Sequence, residues 1–297
     1  YIPAKTMFSG SEFDECKRLK AIEVDPENPY SCSIDGVVYS KDKETLVKIP
    51  GGYSGDVVIP NGVVYIGADA AKNCIRISSV ELPDTVTKIG YSAFSGNQIK
   101  SITLPNSITQ IDDFAFCSNF QLTEITIPNS VQELGYGAFD QCYNLNKATL
   151  GTGLKTIEGA IFRGSNITDI VIPRNIKSIP ESMFSSCQRL KSVRFAGEIE
   201  SIGDSAFQSC FSLQDIYYAL DESSWKAVEI GGNNEMLMEA DVHFNEGNVY
   251  IAGDINGDGA VNNKDATRLF QYMTGWRVEV AEAALDVNGD GKVNNKD

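Results

Sequence analysis

The chain has 297 residues, of which 42% are apolar and 22% charged, and its net charge at pH 7 is −15. This length is enough for one large domain or two, with a sizeable hydrophobic core. The acidic balance argues against nucleic acid or an anionic membrane surface as a partner. No run of about 18 apolar residues occurs, so the sequence predicts no membrane-spanning helix.

The first part of the chain predicts short, irregular strands. Three apolar residues have the spacing of one strand: Leu19, Ile22 and Val24. The runs 34–40 and 45–49 follow, and both alternate in the manner of strands on either side of a charged turn. This arrangement predicts a β-hairpin inserted at about residues 30–50.

From Ile66 to Tyr218 a unit of 22 or 23 residues recurs. Its strand portion reads L-x-x-I-x-L and often ends in proline, as in Ile99-x-x-Ile102-x-Leu104-Pro105. An aliphatic residue precedes a phenylalanine by five positions in each unit. The aliphatic residues are Ile89, Ile111, Leu134, Ile157, Ile179 and Ile202, and the phenylalanines are Phe94, Phe116, Phe139, Phe162, Phe184 and Phe207. A period of this length with this pattern is typical of leucine-rich repeats.

The repeat predicts a solenoid of short parallel strands. Alternate strand residues point inward, and one unit cannot bury its apolar side chains alone, so neighbouring units must stack. Proline after the strand lacks an N–H donor and ends the ladder. The outward positions are predicted to form one continuous sheet face, with no acidic cluster and no aromatic stripe: Thr103, Thr126, Val171, Arg194 and Tyr217. The sequence does not identify a ligand for this face.

Seven cysteines are an odd number, which does not fit a complete disulfide framework. Five of them follow an apolar anchor of the repeat by three residues: Cys16, Cys74, Cys142, Cys187 and Cys210. This position predicts buried free thiols that pack as small apolar groups. One or two bridges between neighbouring units remain as the alternative. No CxxC occurs, so zinc and thioredoxin-like chemistry have no support.

The repeat pattern breaks near its end and predicts an end cap at about residues 216–245. The run 225–228 departs from the period, and the run 240–244 closes the array. The single histidine, His243, lies in this last strand, and we expect it on the outer face as a cap residue. No nucleophile motif or phosphate-binding glycine loop accompanies it, so the sequence predicts no enzyme active site.

The segment IPNSVQELGYGAFDQCYNLNKATL, residues 127–150, resembles the BspA-like (Treponema-type) leucine-rich repeats of bacterial surface and secreted proteins. The end unit at 216–245 resembles the one that often follows such repeats. The resemblance covers residues 1–245 and implies a leucine-rich repeat solenoid. For function it implies adhesion or protein binding in general terms.

Two acidic loops lie at the end of the chain. Residues 254–265 read D-x-N-x-D-G-x-V-N-x-x-D, and the same pattern returns 32 residues later at 286–297. Each loop places side-chain oxygens at positions 1, 3, 5, 9 and 12 and glycine at position 6. Calcium takes six to eight oxygen ligands at about 2.3–2.6 Å, and the glycine permits the turn that wraps the chain around the ion. The loops therefore predict calcium binding.

With the helix 266–273 after the first loop, these loops resemble a type I dockerin, the module that binds a cohesin of a scaffoldin. Aspartate at position 12, where an EF-hand prefers glutamate, agrees with this family. The resemblance implies two Ca²⁺ ions. The first would be held by Asp254, Asn256, Asp258, the Ala260 carbonyl, Asn262 and Asp265. The second would be held by Asp286, Asn288, Asp290, the Lys292 carbonyl, Asn294 and Asp297.

The resemblance also implies candidate cohesin contacts: Asn263, Lys264, Leu269, Phe270, Asn295 and Lys296. For Phe270 and its neighbour Tyr272, ordinary helix core is an equal alternative. Calcium could also serve only to fold the module, because a segment of about 45 residues needs a metal or a similar staple for stability.

The predicted fold class is α+β/solenoid: a leucine-rich repeat solenoid of short parallel strands, followed by a small α-helical calcium-loop module. The predicted domains are the solenoid at 1–245, a linker at 246–252 and a dockerin at 253–297 that is truncated after its second calcium loop. The start Tyr1-Ile2-Pro3 has neither an initiator Met nor a signal peptide. We therefore expect a fragment or a mature segment of a longer chain.

The leading functional hypothesis is a secreted, extracellular, non-catalytic binding component of a bacterial cellulosome or cell surface. Its solenoid would recognise a protein or a surface, and its dockerin would bind a cohesin. The alternative is the C-terminal fragment of a polysaccharide-degrading enzyme or peptidase whose catalytic domain lies upstream. A third hypothesis is an adhesin whose calcium loops serve stability alone.

Overall fold

The computed structural model describes residues 1–14, 16–245 and 263–273. Its helices are α1 (Glu222–Lys226), α2 (Glu235–Met238) and α3 (Asn263–Met273), with one 3₁₀ turn at Ser11–Phe13. In chain order, the strands are β1 (Ser31–Ile34), β2 (Val37–Ser40), β3 (Thr45–Lys48), β4 (Gly55–Val58), β5 (Tyr65–Ile66), β6 (Ile77–Glu81), β7 (Lys88–Ile89), β8 (Ser101–Ile102), β9 (Gln110–Ile111), β10 (Glu124–Thr126), β11 (Glu133–Leu134), β12 (Lys147–Thr149), β13 (Thr156–Ile157), β14 (Asp169–Ile172), β15 (Ser178–Ile179), β16 (Ser192–Phe195), β17 (Ser201–Ile202), β18 (Asp215–Tyr218), β19 (Glu229–Ile230) and β20 (Asp241–Phe244).

The chain winds into a β-solenoid of about nine turns, here called rungs. The even-numbered strands from β4 to β20 form the first face, and the odd-numbered strands from β5 to β19 form the second face. Strands on one face pair in parallel with a register of one rung, as in Val193 opposite Ile216. The predicted solenoid of short parallel strands is confirmed.

Six phenylalanines form a continuous stack through the middle of the solenoid. The ring centroids of Phe94, Phe116, Phe139, Phe162, Phe184 and Phe207 follow one another at 5.4, 5.2, 6.0, 5.9 and 5.3 Å. All six side chains are fully buried. The aliphatic partners predicted five residues earlier lie on the second face, buried except for the half-buried Ile157. The repeat pattern therefore predicted the core correctly.

Each rung reverses direction through two residues of left-handed backbone, four positions apart. The first set is Asp69, Ser92, Phe114, Gly137, Ala160, Ser182 and Ser205, and the second is Asn73, Gly96, Ser118, Gln141, Gly164, Ser186 and Ser209. Their φ angles lie between 49° and 74°. Small, polar or glycine residues occupy nearly all of these positions, because a bulky side chain is disfavoured in this conformation. Phe114 is the exception, and its ring packs edge-on against Tyr91 and Tyr136.

The β-hairpin predicted at about residues 30–50 is present as β2 and β3, but its first strand is shorter than predicted. The run 34–40 is not one strand, because a turn at Asp35 and Gly36 divides it into the antiparallel pair β1 and β2. Strand β2 pairs antiparallel with β3, and β3 pairs in parallel with β5, so the hairpin begins the second-face sheet.

The predicted strand at Leu19, Ile22 and Val24 is also wrong. This segment forms a single parallel bridge, from Val24 to Ile2. The N–H of Val24 donates to the Ser33 side chain at 3.0 Å instead of to a strand carbonyl. A strand ladder therefore cannot continue on that side, although Ile22 and Val24 are buried as the pattern predicted.

The predicted end unit contains α1, β19, α2 and β20. Trp225, where the repeat pattern breaks, packs its indole against the rings of Phe195 and Tyr218, with centroids 5.8 and 5.1 Å away. The Asn234 side chain accepts a hydrogen bond from the N–H of Phe207 at 2.9 Å and donates to the Gly203 carbonyl at 3.0 Å. These contacts satisfy main-chain groups that a further rung would otherwise pair.

The ladders of both faces are interrupted. On the first face the hydrogen-bonded sheets are β4-β6-β8, β10-β12 and β14-β16-β18-β20, and on the second face β13 does not pair with β15. Both faces thus break at the same level, which we call the junction: between β12 and β14 on one side, and between β13 and β15 on the other.

Proline explains the break on the second face. On other rungs the residue after the short strand donates its N–H to the previous rung, as Gly203 does to the Ile179 carbonyl at 2.7 Å. At the junction this position is Pro180, which has no N–H to offer to Ile157.

Candidate binding surfaces

The outward residues of the last four first-face strands form two rows in register. One row is Asp169, Ser192, Asp215 and Asp241, and the other is Val171, Arg194, Tyr217 and His243. Three of the predicted outward positions therefore lie side by side. Thr126 lies in a separate sheet, opposite Thr149, and Thr103 lies just after the end of β8. The predicted continuous sheet face is divided by the two first-face breaks.

The second row forms a stack of planar side chains. The guanidinium carbon of Arg194 lies 4.0 Å from the centroid of the Tyr217 ring, close enough for a cation–π contact. The Tyr217 and His243 rings stack with centroids 4.8 Å apart and planes 18° apart. The prediction that this face has no aromatic stripe is therefore wrong at its C-terminal end. The 26-residue step from Tyr217 to His243 lies outside the 22–23-residue period, because the cap lengthens the last rung.

His243 lies on the outer face of β20, as predicted. Its Nε2 atom is 2.8 Å from a carboxylate oxygen of Asp215, and its side chain is 38% exposed. In the described structure no serine or cysteine side chain is hydrogen-bonded to this imidazole. Stacking on Tyr217 and the contact with Asp215 therefore hold this imidazole on the outer face.

All seven cysteines are free thiols, so the alternative of bridges between rungs is wrong. The prediction of buried thiols is confirmed for Cys74, Cys142, Cys187 and Cys210. Cys16 is exposed, contrary to prediction, because the first turn has no complete rung before it to cover the thiol. Burial raises the pKa of the Cys74 thiol to about 11 and that of Cys187 to about 12. These thiols are therefore neutral and unreactive at physiological pH.

The predicted helix of the calcium-loop segment is present as α3. Asn263 and Lys264 are its first two residues, Leu269 is half-buried, and Phe270 is 69% exposed. Asp265 also lies in the helix. The other predicted calcium ligands, and the candidate contacts Asn295 and Lys296, lie outside the described residues: Asp254, Asn256, Asp258, Ala260, Asn262, Asp286, Asn288, Asp290, Lys292, Asn294 and Asp297.

Two features are absent from the described part of the chain. In residues 1–14, 16–245 and 263–273, no group of three His, Cys, Asp or Glu side chains is placed to hold a metal ion. No helix among the same residues is long and apolar enough to cross a membrane.

Comparison with known families decides the classification of the solenoid. The model of the BspA type leucine rich repeat region matches six copies, over residues 54–136 and 110–226, which together are more than half of the chain. The chain belongs to the BspA-type leucine-rich repeat family. The dockerin type I domain matches residues 252–297, so this BspA-type protein also carries a dockerin. Domains of that type bind calcium.

Solved structures agree with this fold. The crystal structure of the leucine-rich repeat protein of T. pallidum shares 22% identity, covers 74% of this chain and 98% of its own, and has a TM-score of 0.55. The pneumococcal vaccine antigen PcpA shares 21% identity with a TM-score of 0.51, over 76% of this chain and 50% of its own. At these identities the likeness concerns the fold alone. No curated protein matches the chain.

Proposed function

We propose that the protein is a secreted, non-catalytic binding component whose solenoid recognises a partner and whose dockerin attaches it to a cohesin of a scaffoldin. The observation that carries this proposal is the joining of a BspA-type solenoid and a type I dockerin in one chain. An assembly of this kind places the protein outside the cell, in a cellulosome or at the cell surface. The proposed units are the solenoid at 1–245, a linker at 246–252 and the dockerin at 253–297.

Calcium would couple folding of the dockerin to docking. We propose one ion in each loop, held by the ligands that the duplicated sequence supplies, so that binding of the metal provides the folding energy of the module. Cohesin would then contact the start of α3 at Asn263 and Lys264, its face at Leu269 and Phe270, and the matching loop positions Asn295 and Lys296. The Phe270 ring is 69% exposed in the described structure, which is compatible with this contact role.

The proposed absence of catalysis is supported by the described solenoid. Its four buried thiols are neutral at physiological pH, and its single histidine pairs with Asp215 and stacks on Tyr217. A stacked surface row and a buried apolar core are the properties of a binding scaffold. The dockerin itself also favours a second candidate, an enzyme whose catalytic domain lies upstream, and the upstream coding sequence decides between them.

Capture by immobilised cohesin tests the proposed attachment through the dockerin. The chain is passed over a panel of immobilised cohesins with calcium and then with EDTA. We expect capture by at least one cohesin with calcium and release by EDTA. Asp254→Ala with Asp286→Ala is expected to abolish capture. Asp215→Ala with Asp241→Ala, the matched control in the solenoid, is expected to retain it. Capture that persists in EDTA, or no capture by any cohesin, would contradict the proposal.

A further inference from the structure

A groove of about 690 Å³ opens on the first face at the junction. It lies between β12 and β14, which belong to different hydrogen-bonded sheets. Its volume is in the range of about 300–1,000 Å³ that is usual for ligand pockets in proteins. The groove therefore coincides with an interruption of the first-face ladder.

A small side chain lies at an inward position of this rung. The equivalent inward residues of the neighbouring rungs are Ile125, Ile170 and Val193, whereas this rung has Ala148. This smaller side chain lies at the level where β14 does not pair with β12.

The groove has a positive rim in an otherwise acidic protein. Lys147, Arg174 and Arg194 line it, together with one carboxylate, Asp169, which accepts a hydrogen bond from Ser192 Oγ at 2.6 Å. Within the described residues, the exposed side chains of Lys147 and Arg174 make neither an ion pair nor a hydrogen bond. Lys147 and Arg174 are thus available to a ligand.

Three other grooves on the described surface have the opposite charge. One contains Asp112, Asp113, Glu133 and Glu158, the second contains Glu81 and Asp84, and the third contains Glu198, Glu200 and Glu229. No lysine or arginine lines any of these three. On a chain of net charge −15, concentrating cations at the junction marks this groove for an anionic ligand.

We propose that the junction groove binds an extended acidic peptide segment of a partner protein, with carboxylates on Lys147 and Arg174 and an apolar side chain against Val171. Val171 is 40% exposed at the groove, next to Pro173 and Ala196, and supplies the apolar contact.

A long polyanion fits less well than a short acidic peptide. The net charge of −15 repels a highly charged polymer along its whole length, whereas a short segment meets only the positive rim. The apolar contact at Val171 also has no counterpart in a uniformly charged glycan chain. Both observations favour a peptide in which acidic and apolar residues alternate.

The test uses the full chain in calcium and a fluorescein-labelled ten-residue peptide that alternates glutamate with leucine and valine. We expect saturable binding by fluorescence anisotropy, weakened by added salt. Lys147→Gln with Arg174→Gln is expected to weaken binding about ten-fold, because two ligand-facing charges are lost. Both side chains are exposed, so the variant is expected to fold normally.

The matched control removes two exposed lysines elsewhere, as Lys100→Gln with Lys155→Gln, and is expected to change the affinity by less than about two-fold. Ala148→Ile tests the origin of the groove. It restores the usual inward residue, and we expect it to weaken binding while the circular dichroism spectrum stays the same.

Several results would overturn this inference. One is that the parent chain does not bind the peptide saturably, and another is that the Lys147/Arg174 variant binds it as well as the parent does. A third is that polygalacturonate competes for the groove at a lower concentration than unlabelled peptide. The last is that the parent forms a dimer in sedimentation and the variant does not. The inference rests on the proposed recognition role of the solenoid. Cohesin capture distinguishes failure of the peptide proposal from failure of the docking proposal. A groove variant that still binds cohesin but no longer binds the peptide leaves the docking proposal intact.

Discussion

The Sγ atom of Cys142 donates a hydrogen bond to the carbonyl oxygen of Phe116, 3.3 Å away on the preceding rung. Asn119 occupies the same position one rung earlier, and its Nδ2 atom donates to the Phe94 carbonyl at 2.8 Å. Cys187 repeats the contact to Phe162 at 3.1 Å. The repeat thus reserves one buried position for a short donor, which satisfies a main-chain carbonyl of the neighbouring rung.

This donor position gives a first prediction. Asn119→Leu removes hydrogen bonds to the carbonyls of Phe94 and Phe116, both 2.8 Å long, and leaves these carbonyls only the donors Asn97 Nδ2 and Cys142 Sγ. We expect the free energy of unfolding to fall by about 1–3 kcal/mol in urea titration. Asn119→Cys keeps a short donor, as Cys142 does one rung later, and is expected to cost less. Equal stability of both variants and the parent would contradict a structural role for the donor.

The phenylalanine stack gives a second prediction. Phe139 is fully buried between Phe116 and Phe162, so Phe139→Ala opens a cavity in the centre of the array. We expect a loss of about 3–5 kcal/mol in the free energy of unfolding. Phe211→Ala is the matched control, because this ring is 68% exposed, and its effect should stay within about 0.5 kcal/mol. If Phe139→Ala lowered the free energy of unfolding only slightly, the phenylalanine stack would contribute little to the stability of the core.

Cys74 gives a third prediction, on pH. Burial raises its pKa from 9.0 to about 11, so the folded state holds the thiol proton more tightly than the unfolded state does. This contribution to stability is complete below pH 9 and is lost as the pH rises through about 11. Cys74→Ser removes it.

Urea unfolding of the parent and of Cys74→Ser, followed over this pH range, measures the effect. We expect the advantage of the parent over the serine variant to shrink with rising pH. A constant difference would show that the thiol does not titrate differently in the two states.

Calcium removal gives a fourth prediction. Asp254→Ala with Asp286→Ala deletes the first ligand of each proposed site and is expected to unfold the C-terminal module alone. Differential scanning calorimetry of the full chain should then lose one transition and keep the transition of the solenoid, and EDTA should have the same effect on the parent. Loss of both transitions together would contradict two independent units.

The periodic residues allowed most of the solenoid to be predicted. Phenylalanines and aliphatic residues at a constant spacing must meet in a stacked core, since each rung can bury them only against its neighbours. The order, parallel direction and buried face of the strands follow from that one constraint. Even the free, buried state of Cys142 followed from its place in the repeat.

Other features depend on single residues that depart from the repeat. Ala148 and Pro180 look like ordinary substitutions in the sequence, yet they lie at the level where both ladders break. The stack of Arg194, Tyr217 and His243 escaped prediction because the cap changes the spacing before the last strand. The predicted calcium ligands rest on the loop pattern and remain predictions.

The double break also has a mechanical consequence. At the junction no strand-ladder hydrogen bond joins the two halves, but main-chain bonds on the phenylalanine edge do, such as Phe162 N–H to the Met183 carbonyl at 2.9 Å. Two blocks that share no strand ladder at this level bend more easily there than within either block. A ligand bound in the groove would then set the curvature of the surface that the protein presents.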